Sequence, residues 1–326
     1  KETGDMSVFQ GIVKDAIVMN VDDILCVGAT GDMFLSNNIG RNGKLISGEI
    51  IATIIHQYES HAQRLRDLGL NVITCGGETA DVGDLVRTLM VDASVFTTMK
   101  RERVIDASKI NSKDVIVGLA SFGQASHEEE YNSGIGSNGL TLARHGTLSH
   151  EYYSKYPEAR DPNLKEELAF FGKHDLEDPL GEGGLTVGKA LLSPTRTYAP
   201  VLLEVLEKYH EDIHGIIHNT GGGQTKSLHF GKELKFVKDG LFETPTIFHL
   251  IQRSSGTPWK EMYQEFNMGH RMEFYCGEKI AKSIVEIARQ YGVDAKIIGH
   301  CEKSPERNQN ALEIISEHGT FNYIGR

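Results

Sequence analysis

Two glycine-rich stretches, each directly behind a hydrophobic strand, are the residues of this sequence best suited to chemistry. The first runs Asn71-Val72-Ile73-Thr74-Cys75 into Gly76-Gly77-Glu78-Thr79-Ala80-Asp81. The second runs Ile213-His214-Gly215-Ile216-Ile217-His218 into Asn219-Thr220-Gly221-Gly222-Gly223. Adjacent glycines at a strand end allow positive φ and bring bare N–H groups close to a ligand. Acidic side chains at the first turn would repel a phosphate unless a cation lies between, so the combination points to a metal–nucleotide site. Most Gly-Gly pairs are only tight turns, and neither stretch decides the matter alone.

Asp22-Asp23 precede Gly28-Ala29. Mg²⁺ prefers oxygen ligands and is usually held by one or two carboxylates plus substrate phosphates. Asp23 and Glu78 would supply those carboxylates if a helix end and a strand end converge. Asp22 reads as a surface carboxylate, while Asp23 stands open between a surface role and a ligand. Gly136-Ser137-Asn138-Gly139 leads into the helical run from Leu140 to Arg144. An ordinary N-cap explains Ser137 and Asn138, and the alternative is an anion held at the helix start. Arg196, in Ser193-Pro194-Thr195-Arg196-Thr197-Tyr198, sits at another helix start, where its charge opposes the helix dipole unless an anion or acidic neighbour holds it. That tilts Arg196 toward function. His218 and Asn267, the latter in Phe266-Asn267-Met268-Gly269, decide nothing individually.

The elements that must position these residues alternate between helix and strand. Apolar spacing predicts a helix over 8–26 and a longer one from about Ser47 to Leu68, with Gly69 where a C-cap glycine belongs. Strands are expected at 70–75, from about Leu85 to Thr98, and at 115–120. Residues 124–135 read as a polar loop, with Glu128–Glu130 as a solvated face. Residues 146–190 read as an irregular surface excursion and linker. A helix from about Tyr198 to His210, strands at 213–218, 270–276 and 295–300, and a helix through Ile280, Ile284 and Ile287 complete the chain. The mixture indicates an α/β or α+β protein. We expect two domains: 1–190, an N-terminal domain, and 191–326, a C-terminal α/β unit.

Composition narrows the classes. At 326 residues the chain is long enough for two domains, each with its own core. With 39% hydrophobic and 24% charged residues it is ordinary for a globular protein. A formal net charge of −11 argues against a nucleic-acid surface, since phosphate backbones demand clustered Lys and Arg. The four cysteines, Cys26, Cys75, Cys276 and Cys301, lack Cys-x-x-Cys spacing, so we expect reduced thiols, a cytoplasmic protein and no zinc site. No membrane span or signal peptide is visible. The sequence opens on Lys1 and enters helical spacing within a few residues, so we expect it to begin inside a longer protein.

Taken in order, Asp23…Gly28-Ala29, Gly76-Gly77-Glu78-Thr79-Ala80, Ser137-Asn138-Gly139…Arg144, Leu192-Ser193-Pro194-Thr195-Arg196-x-Tyr198, His218-x-Thr220-Gly221-Gly222-Gly223 and Met262-Tyr263-x-x-Phe266-Asn267-x-Gly269 resemble the aminoimidazole ribonucleotide synthetase family. These are the phosphoribosylformylglycinamidine cyclo-ligases of purine biosynthesis. The resemblance runs from about residue 8 to near the C-terminus. It implies a two-domain α/β fold, with ATP binding and dimerisation in the first domain, and a homodimer whose N-terminal strands form a barrel across the subunits. It also implies ATP- and Mg²⁺-dependent closure of formylglycinamidine ribonucleotide to an imidazole.

By the same resemblance, Asp23 and Glu78 would bind Mg²⁺–ATP, with Gly76, Gly77 and Thr79 on the ATP side. Ser137, Asn138, Gly139, Arg196, Thr220, Gly221, Gly222 and Gly223 would bind substrate, and His218 and Asn267 would lie near the reacting amide. The sequence departs from the family pattern at three places. No Asp-Gly-x-Gly-Thr-Lys segment is present, and we expect it upstream of Lys1. Gly136 stands where a histidine is usual, and Gln224-Thr225 replace the aromatic pair that often follows the glycine triplet. Another ATP-using enzyme of the superfamily (a small-molecule kinase or selenophosphate synthetase) and a non-catalytic nucleotide-binding subunit are the alternative readings.

Overall fold

The computed structural model describes residues 1–325. Helix α1 (Gln10–Cys26) buries Val13, Ala16, Ile17, Val21 and Leu25, a stripe at helical spacing that also carries the carboxyl of Asp22 inward. Strand β1 (Met33–Arg41) follows, then helix α2 (Gly48–Asp67). Ser47 caps α2 by accepting from Ile50 N at 3.4 Å, and Gly69 ends it at φ +94°. Strands β2 (Val72–Asp81) and β3 (Leu89–Phe96) complete a three-stranded sheet in the order β2-β1-β3, with β1 parallel to β2 and antiparallel to β3.

The rest of the chain builds a second sheet. Its elements are β4 (Val115–Ala120), α3 (Leu140–Thr147), α4 (Glu151–Lys155), α5 (Val187–Leu191), α6 (Ala199–Tyr209) and β5 (Ile213–His218). They continue with β6 (Leu234–Lys238), α7 (Thr246–Ser255), α8 (Trp259–Glu265), β7 (His270–Cys276) and α9 (Glu278–Gln290), and end with β8 (Ala295–Lys303), β9 (Ala311–Ser316) and β10 (Gly319–Ile324). The seven strands run β10-β9-β6-β8-β4-β7-β5, antiparallel except for the β6–β9 pair. The α/β expectation holds, in its mixed form.

Several expectations change. Gly76-Gly77-Glu78 is not a turn after a strand; it lies inside β2, where Gly76 (φ +82°) occupies a bulge opposite Leu35–Asn37. Strand β1 was not foreseen, because Ser36-Asn37-Asn38 interrupts its apolar alternation. β3 is shorter than the 85–98 expected, since Val82–Val86 forms a turn. The excursion at 146–190 is part of the interior: Tyr152, Phe170, Leu180, Leu185 and Val187 join one hydrophobic core. A Cβ at Gly172 would come within 2.1 Å of the Thr147 carbonyl, so the segment lies flush against the body.

The boundary expected at 190 does not coincide with the sheets. Val115–Ala120 is already a central strand of the larger sheet, which divides the chain between β3 and β4. The cores follow the two-domain division in part: one, from Ile110 to Tyr323, lies wholly within the second unit. The other joins α1 and α2 to Val117, Leu119, Tyr198, Val205, Met272, Phe274 and Ile284, so the N-terminal helices and one face of the large sheet share a single interior. That shared interior brings the end of α1 to the end of β5.

Candidate functional site

Asp23, near the C-terminal end of α1, accepts a hydrogen bond at Oδ1 from Nδ1 of His218, at the end of β5, over 2.9 Å. With Nδ1 donating, Nε2 of His218 is an acceptor, and it receives Nε of Arg271 at 3.3 Å. Nη2 of Arg271 donates to Oδ1 of Asn138 at 3.0 Å. One chain of hydrogen bonds thus joins Asp23, His218, Arg271 and Asn138. Beside it, Lys226 Nζ donates to Thr220 Oγ1 at 2.6 Å.

The electrostatics follow from burial. His218 is enclosed, and burial pulls its pKa down to about 4, so the ring is neutral at pH 7. Burial works to raise the Asp23 carboxyl, but the His218 hydrogen bond and the charges of Lys226 and Arg271 outweigh it and hold the group below its usual value. Asp23 is therefore an anion, and its side chain is 53% exposed. Arg271 is 1% exposed and keeps its charge in the interior. Its Nη1 has no hydrogen-bond partner among the described residues. A Cβ at Gly136 would stand 1.4 Å from that atom, so the glycine in place of the usual histidine is what admits the guanidinium.

The second glycine stretch is an open turn beside this cluster. The N–H groups of Gly221 and Gly222 have no acceptor, while Gly223 N donates to Thr220 O. A Cβ at Gly221 would meet nothing within 4 Å, whereas one at Gly223 would lie 2.5 Å from Phe266 O. Gly221 and Gly222 thus offer consecutive free amides, an anion-binding arrangement, and Gly223 is a packing residue. Gly139 (φ +72°) is likewise pressed against the Phe266 ring. It occupies the N-cap position of α3 without a side-chain cap, so Asn138 is not the cap and faces Arg271 instead. The Ser137 hydroxyl has no partner among the described residues.

Three residues expected at the substrate have their polar atoms engaged within the chain. Arg196 is fully engaged: Nε and Nη2 meet Glu128 at 2.9 and 2.5 Å, and the remaining donors reach the carbonyls of Ala120, Phe122 and Gly123. Its acidic neighbour, not a ligand, answers the helix dipole, and Glu128 is correspondingly no solvated residue. Asn267 is spent as well. Its Oδ1 accepts from Ser121 Oγ and Gly269 N, and its Nδ2 donates to the carbonyls of Gly134 and Ile135. It bolts the 133–138 loop to β7. His218, expected at the reacting amide, has both ring nitrogens occupied and acts by positioning Arg271 against Asp23.

Asp22 is not on the surface, and Glu78 does not join Asp23 within one chain. Asp22 is fully buried, accepts from Thr197 Oγ1 and Tyr198 N at 2.8 Å each, and burial pushes its carboxyl up to about 7. Glu78 pairs in register with Asn38, which alternates with the inward-facing Leu35 and Ile39 of β1. Glu78 therefore projects from the sheet face opposite the helices. A single chain does not bring it to Asp23.

Arg271 and Lys226 were missed in the sequence. Neither belongs to a recognisable motif, and only the unexplained glycine at 136 hinted that something occupies the space of a side chain. Gln224 is buried, donates to the Asn267 and His270 carbonyls, and accepts from Lys238 Nζ at 3.0 Å. Lys238 in turn pairs with Glu273 at 2.6 Å inside the protein. The departure at Gln224 thus belongs to a closed structural network. A cavity of about 390 Å³ opens at the other end of α1, lined by Lys14, His61, Arg64 and Lys189 but by none of Asp23, His218 or Arg271. The hydrogen-bonded cluster, not this cavity, gathers the chemistry.

The residues fit a phosphate-bearing ligand with a divalent cation. One ionised, half-exposed carboxylate is available to an ion otherwise held by phosphate oxygens, and two cations and two free amides are available to the phosphates. Among the described residues no helix is long and apolar enough to cross a membrane. All four cysteines are free, and only Cys75 is exposed.

Residues 5–99 match the family model described as AIR synthase related protein, N-terminal domain, and residues 112–310 match the corresponding C-terminal domain. A phosphoribosylformylglycinamidine cyclo-ligase of Methanocaldococcus jannaschii is 30% identical over 307 residues, which covers 93% of this chain and 75% of the relative. One from Desulfotalea psychrophila is also 30% identical, over 93% and 75% of the two chains. Among solved structures, hydrogenase maturation protein HypE aligns with a TM-score of 0.57 at 14% identity, over 95% of this chain and 81% of that one. Thermotoga maritima PurL complexed with ADP aligns with a TM-score of 0.53 at 14% identity, over 97% of this chain; the chain spans only 40% of PurL. These two likenesses establish the shared fold.

Proposed function

The chain belongs to the AIR synthase related family, and from that premise we propose that it is a phosphoribosylformylglycinamidine cyclo-ligase. The reaction converts formylglycinamidine ribonucleotide and ATP to aminoimidazole ribonucleotide, ADP and phosphate, in purine biosynthesis in the cytoplasm. The observation that carries the reading is the hydrogen-bond chain crossing the family's two domains. Asp23 comes from the first, and His218, Arg271 and Asn138 come from the second.

Mg²⁺-bound ATP supplies the phosphoryl group that turns the formyl oxygen into a leaving group. The ribosyl-bearing nitrogen then attacks the formyl carbon, a proton leaves that nitrogen, and phosphate departs as the ring closes. The protein's part is positioning and charge stabilisation. Asp23 would hold the metal through its free carboxylate oxygen, with His218 fixing the other. Arg271 Nη1, Lys226 and the Gly221 and Gly222 amides hold negative charge on the phosphates. Ser137, Asn138 and Thr220 orient the substrate, with Gly139 and Gly223 shaping the turns that carry them.

The open face of the small sheet carries exposed apolar side chains beside Asn38, Glu78 and Asp92. Phe34 stacks on Phe96 at 5.2 Å, and Ile73 and Met90 are exposed on the same side. That face fits a homodimer in which Gly76, Gly77, Glu78 and Thr79 serve the ATP site across the two copies, with Glu78 as the second metal carboxylate.

The test is to incubate the full-length protein with ATP, Mg²⁺ and formylglycinamidine ribonucleotide and to measure aminoimidazole ribonucleotide. Product formed in step with ADP supports the cyclo-ligase. ATP consumption without cyclised product favours a kinase of the superfamily and overturns it.

A further inference from the structure

On the far side of the large sheet, three side chains with metal-binding atoms converge where no cysteine is involved. His249 lies in α7, and Glu317 and His318 form the tip of the β9–β10 hairpin. One ligand atom from each lies within 4.8 Å of the others. We propose that His249, Glu317 and His318 form a binding site for a transition-metal dication of the zinc type, which staples the C-terminal hairpin to α7.

The geometry is built in advance. The His318 ring lies flat on Trp259, with centroids 3.5 Å apart and planes 1° from parallel, so its orientation is fixed from the α8 side. Its Nε2 lies 3.5 Å from Glu317 Oε1 and 3.0 Å from Thr244 Oγ1. The Thr244 N–H donates to the same Glu317 oxygen at 3.3 Å, an outer hydrogen bond of the sort that orients a metal-binding carboxylate. The hairpin tip is itself tied, with Ser316 Oγ accepting from His318 N and donating to the Gly319 carbonyl. The His249 ring, 5.3 Å from that of His318 between centroids, makes no hydrogen bond through either nitrogen among the described residues.

Two imidazoles and one carboxylate select the metal class. Imidazole suits Zn²⁺, Cu²⁺ and Ni²⁺, whereas Mg²⁺ requires oxygen ligands. Zn²⁺ bonds of about 2.0–2.2 Å need only a small closure of the three side chains, with solvent completing the tetrahedron. Metal binding needs neutral histidines.

A metal here would also reach the scaffold of the site. The hairpin rests on α8 through Tyr323 Oη, which donates to Lys260 O at 2.8 Å, and through the Tyr263–Phe321 ring pair. The end of α8 is the surface against which Gly223 and Gly139 are pressed.

The test strips the full-length protein with a chelator and titrates it with ZnCl₂ by calorimetry, with MgCl₂ present throughout. One Zn²⁺ per chain, with a rise in thermal midpoint on binding, is expected. His249→Ala and Glu317→Ala should each abolish that event, Thr244→Val should weaken it about tenfold, and the exposed His56→Ala should leave it unchanged. Glu317 is exposed and His249 half-buried, and the thermal midpoint of each metal-free variant shows whether it folds, so those variants report on binding even if His318→Ala fails to fold. Absence of saturable Zn²⁺ binding, or equal affinity in His249→Ala and Glu317→Ala, overturns the proposal.

Discussion

Two buried arginines divide this molecule into a region that holds itself together and a region that is left waiting. Around Arg196 every donor is answered, by Glu128 and by three carbonyls, and the result is a clamp between the 120–128 segment and the start of α6. Around Arg271, equally buried, His218 and Asn138 answer two nitrogens and Nη1 faces the space above Gly136 with no partner. A buried charge with every donor paired stabilises a structure, while one left with an unused donor beside a half-exposed carboxylate is prepared for a ligand. The sequence context alone ranks the two the other way, because Arg196 sits in a motif and Arg271 does not.

The contrast can be broken by measurement. The largest effect expected is on stability at Arg196. Arg196→Met leaves Glu128 uncompensated in the interior and should lower unfolding free energy by about 3–5 kcal/mol, read by denaturant titration. The KM values of the folded fraction should stay near wild type. A variant that unfolds normally but binds substrate poorly would reverse the assignment.

Arg271→Met should do the opposite. Product formation should fall by about 10²–10³-fold in kcat, the size seen when one charge-stabilising donor is removed, with Arg271→Lys recovering part of it. Equal loss of kcat and of thermal stability would make Arg271 a second clamp.

A third prediction uses pH to sharpen the role of His218. Its pKa falls from 6.5 to about 4 on folding, so the unfolded chain binds the proton more readily. The stabilisation is present above about 6.5 and is lost as pH falls toward 4, by about 3 kcal/mol in all. Asp22, raised to about 7, has the opposite sign: its contribution is present below its unfolded value and is lost as pH rises through 7. The two partly cancel in the wild type. The stability difference between wild type and His218→Asn isolates the histidine and should shrink by about 3 kcal/mol from pH 6.5 to 4. A difference independent of pH would mean that the ring is not held neutral.

The smallest effect belongs to the glycines. Gly136→Ala should cut activity by about tenfold, or about 1.4 kcal/mol, because its Cβ displaces the Arg271 guanidinium. Gly221→Ala meets no atom within 4 Å and should leave folding unchanged. Equal tolerance at both positions would remove the link between Gly136 and Arg271.

Much of the scaffold was legible because helices α1, α2, α6 and α9 carry apolar stripes, and strands β4, β5, β7 and β8 are short apolar runs. The strand β1 was not, since three consecutive polar residues hide its period. Nor was the interior role of 146–190, whose backbone irregularity resembles a surface loop although Phe170 and Tyr152 are core residues. At the site, motif order identified Asp23, His218, Asn138 and the glycine triplet, which do share one neighbourhood. Motifs could not tell Asn267 and Arg196, consumed by internal hydrogen bonds, from residues that face a ligand. That Glu78 and Asp23 do not meet within one chain was not legible, because strand register, which decides the face of Glu78, is invisible until β1 is known. Arg271 and the His249–Glu317–His318 cluster are products of tertiary proximity alone.

The most direct measurement is a structure of the full-length protein with Mg²⁺, a non-hydrolysable ATP analogue and formylglycinamidine ribonucleotide. The account predicts an anionic ligand oxygen about 2.7–2.9 Å from Arg271 Nη1, Asp23 at the metal, and no ligand atom on Arg196. Ligands bound elsewhere, with Nη1 of Arg271 facing only solvent, would contradict it.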